Sequence, residues 1–142
     1  MSYRILTADE AHWRPSNQMA VLNTDLAKQL RATTLGARLW RLAPGQASTR
    51  HRHRIPEELY VLLEGSGRIR VGADVHTLAP FDTVLAEPGD IRQRFNDTGA
   101  DQLWLVVSAP PEQANTLAMT PETLAWIYPD GPKALPPELE TA

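Results

Sequence analysis

Short apolar runs recur along the chain between Leu35 and Leu105, and each run is bounded by Gly, Pro, Asp or Asn. Runs of about four to eight residues that end in turn-forming residues are typical of antiparallel strands. The pattern predicts eight strands, at Leu35–Leu42, Ser48–Arg54, Glu58–Leu63, Arg68–Val71, Val75–Leu78, Thr83–Ala86, Arg92–Asn96 and Gln102–Val107. Short strands on tight turns favour an all-β closed barrel or jelly roll over a parallel α/β fold.

The segments on either side of this pattern predict short helices. Residues Thr7–Glu10 have the form of a capping box, so we expect a short helix that ends at or before Pro15. Thr120 followed by Pro121 predicts a second helix that runs to about Tyr128. The residues after it are rich in proline and are expected to form an extended tail.

The length and composition are those of one globular domain. The chain has 142 residues, of which 42% are hydrophobic and 22% are charged, close to the averages for soluble proteins. We predict a single domain over residues 1–142, with an N-terminal extension at 1–34, a barrel core at about 35–108, and a C-terminal helix and Pro-rich tail at 109–142.

Charge and residue usage exclude several classes of function. A net charge of -3 gives no general attraction for nucleic acid. The absence of cysteine excludes disulfides, thiolate nucleophiles and Cys-ligated metals. Arg4, Asp9 and Glu10 interrupt any secretory signal, and no run approaches the ~20 apolar residues of a membrane span. We therefore expect a cytoplasmic protein with no nucleic-acid or membrane partner.

The candidate chemistry lies in the second and third predicted strands. Side chains alternate along a strand, so His51 and His53 project from the same face. A turn at Ile55–Pro56 reverses the chain, and the next strand then places Glu58 opposite the two histidines. Two imidazoles and one carboxylate suit Fe(II), and also Mn, Ni or Zn, and leave open coordination positions. The sequence therefore predicts a divalent metal site made by His51, His53 and Glu58.

This stretch resembles the first motif of the cupin family, which runs Gly, five residues, His-x-His, three or four residues, Glu, six residues, Gly. The defined positions are occupied by Gly45, His51, His53, Glu58 and Gly65. Glu57 also lies at a permitted distance from His53, but only Glu58 is separated from Gly65 by six residues, so Glu57 is the alternate ligand. The resemblance implies a cupin double-stranded β-helix with short helical terminal segments, a divalent metal and a homodimer.

The second cupin motif is present only in part. It usually carries Pro-x-Gly, two residues, His, three residues and Asn. Gly89 and Asn96 fit, but Arg92 stands where the histidine would be the fourth ligand. A guanidinium stays protonated and cannot coordinate a cation. Either Arg92 pairs with Glu58 and leaves a polar barrel without metal, or it grips a substrate anion in a bidentate fork beside a three-ligand metal.

Other side chains surround the predicted site. Tyr60 shares the predicted face of Glu58 and is our first choice for a residue that lines the pocket. Arg94 has the same parity as Arg92, and we favour an exposed place at the barrel rim for it over a place in the cavity. His76 is expected to be a surface residue on a hairpin, and His12 a structural residue near a helix end. The strand tryptophans Trp40 and Trp104 are expected to be core residues.

Together these features predict a metal-dependent enzyme that acts on a small anionic or enolisable molecule, such as a dioxygenase or an isomerase. Arg92 would orient the substrate, and Tyr60 would line the site. The alternative is a non-catalytic module that binds or senses a sugar or a carboxylate in the barrel. The fold is shared by proteins of many activities, so it does not decide between them.

Overall fold

The computed structural model describes residues 2–112 and 117–140. Within these residues the chain forms nine strands: β1 Arg14–Pro15, β2 Leu22–Asp25, β3 Gly36–Leu42, β4 Glu57–Glu64, β5 Gly67–Val71, β6 Asp74–Leu78, β7 Thr83–Ala86, β8 Arg92–Phe95 and β9 Gln102–Ala109. Two short α-helices, α1 Leu26–Gln29 and α2 Pro121–Ile127, and a 3₁₀ turn at Pro137–Leu139 complete the elements.

The strands form two antiparallel sheets that enclose one core. The larger sheet has the order β1-β2-β3-β9-β4-β7, and the smaller has the order β6-β5-β8. Because side chains alternate along each strand, one face of each sheet turns inward. The buried core contains Val21, Leu42, Tyr60, Leu62, Ile69, Ala86, Trp104 and Val106. This arrangement confirms the predicted all-β double-stranded β-helix, in which the inner faces of both sheets line a barrel.

The turn after β4 depends on glycine. Gly65 has φ +88, and a Cβ atom there would lie 2.4 Å from the carbonyl oxygen of Asp101. A side chain at this position is therefore excluded both by backbone conformation and by contact. The final glycine of the first cupin motif is thus required by the turn that leads from β4 into β5.

Seven of the eight predicted strands are confirmed to within two residues at each end. The eighth, Ser48–Arg54, is not a regular strand, because it makes only isolated bridges, Ala47 to Phe95 and His51 to Arg92. The pairing shifts by one residue between these two bridges, as at a β-bulge, so no continuous ladder forms. The predicted alternation of His51 and His53 nevertheless places both side chains at the site described below.

The N-terminal extension differs from the prediction. Residues Thr7–Glu10 form a turn, in which Glu10 N and Ala11 N both donate to the carbonyl oxygen of Thr7, and no helix follows. The chain instead enters β1 and β2, and β2 pairs with β3 of the barrel. The same capping-box residues can form a single turn or begin a helix. Here they form a turn, and the chain continues into strands because β2 pairs with β3.

The C-terminal helix is confirmed. Thr120 accepts a hydrogen bond from Thr123 N, and Pro121 occupies the first helical turn. Beyond α2, Arg70 NH2 donates to both carboxylate oxygens of Glu138 and so ties the tail to β5. No helix in residues 2–112 and 117–140 has the length and apolar character needed to cross a membrane.

Candidate metal centre

Two histidines and a glutamate meet inside the barrel, as the sequence predicts. Potential ligand atoms of His51, His53 and Glu58 all lie within 4.8 Å of one another. Glu58 Oε1 is 3.4 Å from His51 Nε2 and 3.1 Å from His53 Nε2. The side chains keep only 11–13% of their surface exposed, so the three groups form a nearly enclosed polar cluster.

Both imidazole rings are oriented by an acceptor on their far side. His51 Nδ1 is 3.1 Å from the carbonyl oxygen of Thr49, and His53 Nδ1 is 2.7 Å from Glu112 Oε2. A carbonyl and a carboxylate can only accept, so Nδ1 of each ring donates to its acceptor. Nε2 of each ring then faces Glu58, where it can donate to the carboxylate or, when unprotonated, offer a lone pair to an ion. Such outer hydrogen bonds are characteristic of histidines that bind metals.

The cluster fits a divalent ion. Ligand atoms ~2.1 Å from a common ion lie about 3.0 Å apart in octahedral geometry and about 3.4 Å apart in tetrahedral geometry. The 3.1 and 3.4 Å separations agree with that range. His53 Nε2 is buried and faces Glu58 Oε1 at 3.1 Å, so an ion between these two atoms would have one nitrogen and one oxygen ligand. Nitrogen and carboxylate donors suit Fe, Mn, Ni or Zn.

Arg92 lies beside this cluster and pairs with Glu58. Arg92 NH2 is 3.2 Å from Glu58 Oε1, Arg92 Nε donates to the Tyr60 hydroxyl at 3.2 Å, and NH1 donates to the carbonyl oxygen of Asp90. Its side chain is 1% exposed. All three donor nitrogens thus have partners within the protein, and these include the pairing with Glu58 that the first of the two sequence-based alternatives predicts.

Tyr60 also contacts the carboxylate. Its hydroxyl donates to Glu58 Oε1 at 2.6 Å while accepting from Arg92. Glu58 Oε1 therefore faces the two imidazoles, the phenol and the guanidinium, whereas the hydrogen bonds among the described residues leave Oε2 free. Glu57 lies on the outer side of β4, beside Leu59, and is exposed.

The clustered groups shift one another's pKa values. Burial favours the neutral form of Glu58, but hydrogen bonds to His51 and His53 outweigh burial and hold the pKa of Glu58 well below its usual range. Burial lowers the pKa of His51 despite the opposing effect of Glu58. Burial also lowers the pKa of His53, but Glu58 and Glu112 outweigh it and raise that pKa overall. An ionised Glu58 and a neutral His51 are the forms that bind a cation.

Arg94 is buried in the barrel interior, so the favoured position at an exposed rim is wrong. It is 3% exposed, and its guanidinium carbon lies 5.1, 5.3 and 5.9 Å from the ring centres of Trp40, Tyr60 and Trp104. Strand parity alone could have indicated this, because Arg92 and Arg94 occupy the same face of β8. His76 is exposed and Trp104 is in the core, as expected, and His12 is exposed as well.

A segment after α2 supports the histidines from outside the barrel. Arg52 N donates to the carbonyl oxygen of Ile127 at 3.0 Å, and Arg52 Nε donates to that of Trp126 at 2.6 Å. The guanidinium groups of Arg52 and Arg54 lie 4.2 and 4.8 Å from the Trp126 ring. We call residues 120–130 the C-terminal brace. Sequence reasoning missed the brace and Glu112, because neither has a motif that indicates which part of the barrel it contacts.

Comparison with known proteins agrees with this fold. A family model described as a cupin domain matches residues 38–108, which is half of the chain. A sugar phosphate isomerase of the cupin superfamily from Silicibacter pomeroyi is 22% identical, with 76% of each chain covered and a TM-score of 0.68. A predicted oxalate decarboxylase from Thermotoga maritima is 19% identical over 76% of this chain and 100% of that chain, with a TM-score of 0.67.

The protein TT1209 from Thermus thermophilus is 28% identical over 75% of this chain and 96% of that chain, with a TM-score of 0.60. No curated protein matches the chain. The fold, the first motif and the family match agree, and the chain belongs to the cupin domain family.

Proposed function

We propose that this protein is a metal-dependent cupin enzyme that acts on a small anionic or enolisable molecule. His51, His53 and Glu58 would hold a divalent ion, either Fe, Mn, Ni or Zn. The observation that carries the proposal is the pair of imidazoles whose Nε2 atoms face Glu58 while their Nδ1 atoms are held by Thr49 and Glu112. Two of the similar structures are described as a sugar phosphate isomerase and a predicted oxalate decarboxylase, and both of those names imply anionic substrates.

When bound, the ion would supply Lewis-acid polarisation of a substrate oxygen or a site for O₂. The chain's own residues have other tasks. Arg92 and Tyr60 hold Glu58 in one orientation through Oε1. Burial, followed by the Glu58 carboxylate, raises the pKa of Tyr60 above its usual range, so its hydroxyl keeps the proton that it donates to Glu58. The enclosure of the cluster limits access by water.

Metal analysis of protein purified without chelator tests the proposal. We expect about one divalent ion per chain in the wild type and a loss of most of it in His51→Ala, because a site with one histidine and one carboxylate binds a divalent ion far more weakly. His76→Ala is the matched control, since His76 is exposed on β6, and it should keep the full metal content. A wild-type protein that takes up none of the four metals after loading would refute the proposal.

A second candidate function is a non-catalytic module that binds a small sugar or carboxylate. The contact between Arg92 and Glu58 favours it, because a guanidinium can neutralise the carboxylate without a metal. In that case stabilisation by a carboxylate or a sugar phosphate should persist in EDTA. Thermal unfolding with and without EDTA separates the two functions, since stabilisation that requires the ion supports the metal-dependent enzyme.

A further inference from the structure

Arg94 is the most unusual buried group in the described part of the barrel. Its side chain projects from β8 into the interior, and NH1 is fully buried without a hydrogen-bond partner. None of the hydrogen bonds among residues 2–112 and 117–140 involves its guanidinium, whereas its backbone is paired with Ser48: Arg94 N donates to Ser48 Oγ at 3.0 Å, and Ser48 N donates to the Arg94 carbonyl oxygen at 2.9 Å. A guanidinium carries five N–H donors and no acceptor, so this group can accommodate several oxygen atoms.

The aromatic rings around Arg94 offset only part of the cost of burying its charge. Three rings contact the guanidinium, at 5.1 to 5.9 Å from ring centre to guanidinium carbon. Each such contact stabilises a cation modestly and leaves the N–H donors unsatisfied. Burial accordingly lowers the pKa of Arg94, which means that the charged form is destabilised where it stands. An acidic side chain would remove this cost, but none is hydrogen-bonded to it.

Arg94 also differs from Arg92 in its availability. Arg92 donates hydrogen bonds from Nε to Tyr60, from NH1 to Asp90 and from NH2 to Glu58. Both arginines lie on the same face of β8, and Glu58, the one carboxylate of the His51, His53 and Glu58 cluster, pairs with Arg92. The interior therefore has two guanidinium groups and one carboxylate, and a divalent ion would add two further positive charges. A ligand with at least two negative charges would balance this interior.

We propose that the Arg94 guanidinium binds an oxyanion group, carboxylate or phosphate, of a small dianionic substrate whose other end lies at the His51, His53 and Glu58 cluster. This inference deepens the proposed function and rests on it. Arg94 is then a substrate-binding residue, and it selects for molecules with a second anionic group.

The Tyr60 side chain contacts both the Glu58 carboxylate and the Arg94 guanidinium, so the two binding positions for such a ligand are about one side chain apart. Its hydroxyl is 2.6 Å from Glu58 Oε1, and its ring centre is 5.3 Å from the Arg94 guanidinium carbon. A molecule that bridges the cluster and Arg94 therefore needs only a few atoms between its anionic groups. Trp40 and Trp104 flank the same guanidinium, so binding there should change tryptophan fluorescence.

The test compares malonate with monomethyl malonate, which keeps the skeleton and loses one charge. 2-Phosphoglycolate serves as the phosphate arm. Dissociation constants are measured by calorimetry and tryptophan fluorescence on wild type, Arg94→Met and Arg41→Met, each with Mn²⁺ and with EDTA. Arg41 is the matched control because it lies on β3 and forms its contacts, to Glu64 and Asp101, near the surface.

With Mn²⁺, we expect wild type and Arg41→Met to bind malonate or 2-phosphoglycolate at least about tenfold more tightly than monomethyl malonate, as for a hydrogen-bonded charge pair. In Arg94→Met this preference should fall to within about twofold, while the variant still binds Mn²⁺. Of malonate and 2-phosphoglycolate, the ligand whose affinity falls more in Arg94→Met identifies the group that Arg94 binds. Arg94→Met should also unfold at an equal or higher temperature than wild type without ligand, because it removes an unpaired buried charge.

Two results overturn the inference. One is an Arg94→Met variant that keeps the preference for the dianion, which would mean that solvent or the aromatic rings satisfy Arg94. The other is a wild type that binds neither dianion. The same experiment distinguishes failure of the metal site from failure of the anion site. Absence of Mn²⁺ binding refutes the proposed function. A preference for malonate over monomethyl malonate that depends on Arg94 and persists in EDTA would still support the anion site.

Discussion

Arg92 occupies the position at which the second cupin motif would supply a fourth ligand, and the structure places its guanidinium 3.2 Å from the carboxylate of the site. Two unit charges about 6 Å apart at an effective dielectric constant of about 20 interact by roughly 3 kcal/mol. The arginine therefore weakens the binding of a cation while it orients Glu58. The strength of metal binding in this protein depends on the balance between these two effects.

Replacing this arginine by the residue of the family motif tests that balance. We expect Arg92→His to bind Mn²⁺ or Zn²⁺ at least about tenfold more tightly than wild type, because it removes a cation and adds an imidazole donor. Without metal the variant should be less stable, since Glu58 loses its partner. Calorimetric titration with each metal and urea unfolding measure the two effects.

Arg92→Gln separates the loss of charge from the gain of a ligand. It is expected to bind metal with an affinity between those of wild type and Arg92→His. If Arg92→His bound no more tightly than wild type, the side chain at position 92 would not reach the ion, and the repulsion argument would be wrong.

Strand parity and spacing were sufficient to predict which residues form the cluster. His51, His53 and Glu58 follow from alternation and a hairpin, and the structure brings them together. The sequence does not decide the partner of Arg92, because strand parity predicts the face to which a side chain projects but not which groups it contacts. The burial of Arg94 was predicted wrongly, because an arginine is rarely buried without an acidic partner. Such exceptions to the general pattern are more frequent at functional sites than elsewhere.

Among the elements, the segment that carries the histidines is the least regular. Ala47 and His51 make isolated bridges, and the residues between them shift the register. The outer side of this segment rests on the C-terminal brace, through Arg50 and Asp130 at 2.6 Å and through Arg52 and Trp126. The brace therefore holds the outer side of these residues in place, as a neighbouring strand would in a regular sheet.

Trp126→Ala should weaken both the fold and the metal site. Loss of two cation–π contacts costs about 1–2 kcal/mol of unfolding free energy, and a loosened His51 and His53 should bind metal several-fold more weakly. Urea unfolding of metal-free protein and calorimetric titration with Mn²⁺ measure the two effects. Trp13→Ala is the control, because Trp13 precedes β1 and makes none of these contacts. Equal loss of metal affinity in both variants would contradict the role of the brace.

Local patterns predicted the barrel strands more accurately than the flanking segments. Strands β3 to β9 alternate on short turns, and periodicity and turn residues both indicate them. The short β1 and β2 carry no such repeat, and they form because β3 offers an edge to pair with. The Thr7–Glu10 capping box has the residues of a helix start but forms only a turn.

At the scale of the whole molecule, the outer face of the larger sheet leaves apolar side chains exposed. Leu59 on β4 and Leu85 on β7 are 37% and 53% exposed, and both border a shallow cleft with Val107 of β9. Contiguous apolar surface on a soluble protein commonly marks an interface. The family resemblance implies a homodimer, and this face is where we expect the second copy to pack.

Leu85→Glu is expected to convert the homodimer into a monomer, because in a two-fold interface each substitution places a buried charge on both sides. Light scattering coupled to gel filtration measures the mass directly. Phe81→Glu is the control, since Phe81 is 78% exposed in the turn before β7, and it should keep the mass of wild type. A monomeric wild type would contradict the predicted assembly, which no pattern in the sequence could establish.

The C-terminal brace also has a consequence for biosynthesis. Trp126 follows Glu58 by 68 residues in the chain, so at about 5–20 residues per second it leaves the ribosome roughly 3–14 s later. During that interval the histidine segment emerges without its outer support. An ion bound at the proposed site and the docking of α2 would stabilise the same conformation of that segment, so each event would promote the other. The metal available in the compartment of synthesis, as well as intrinsic affinity, would then decide which ion the folded protein carries.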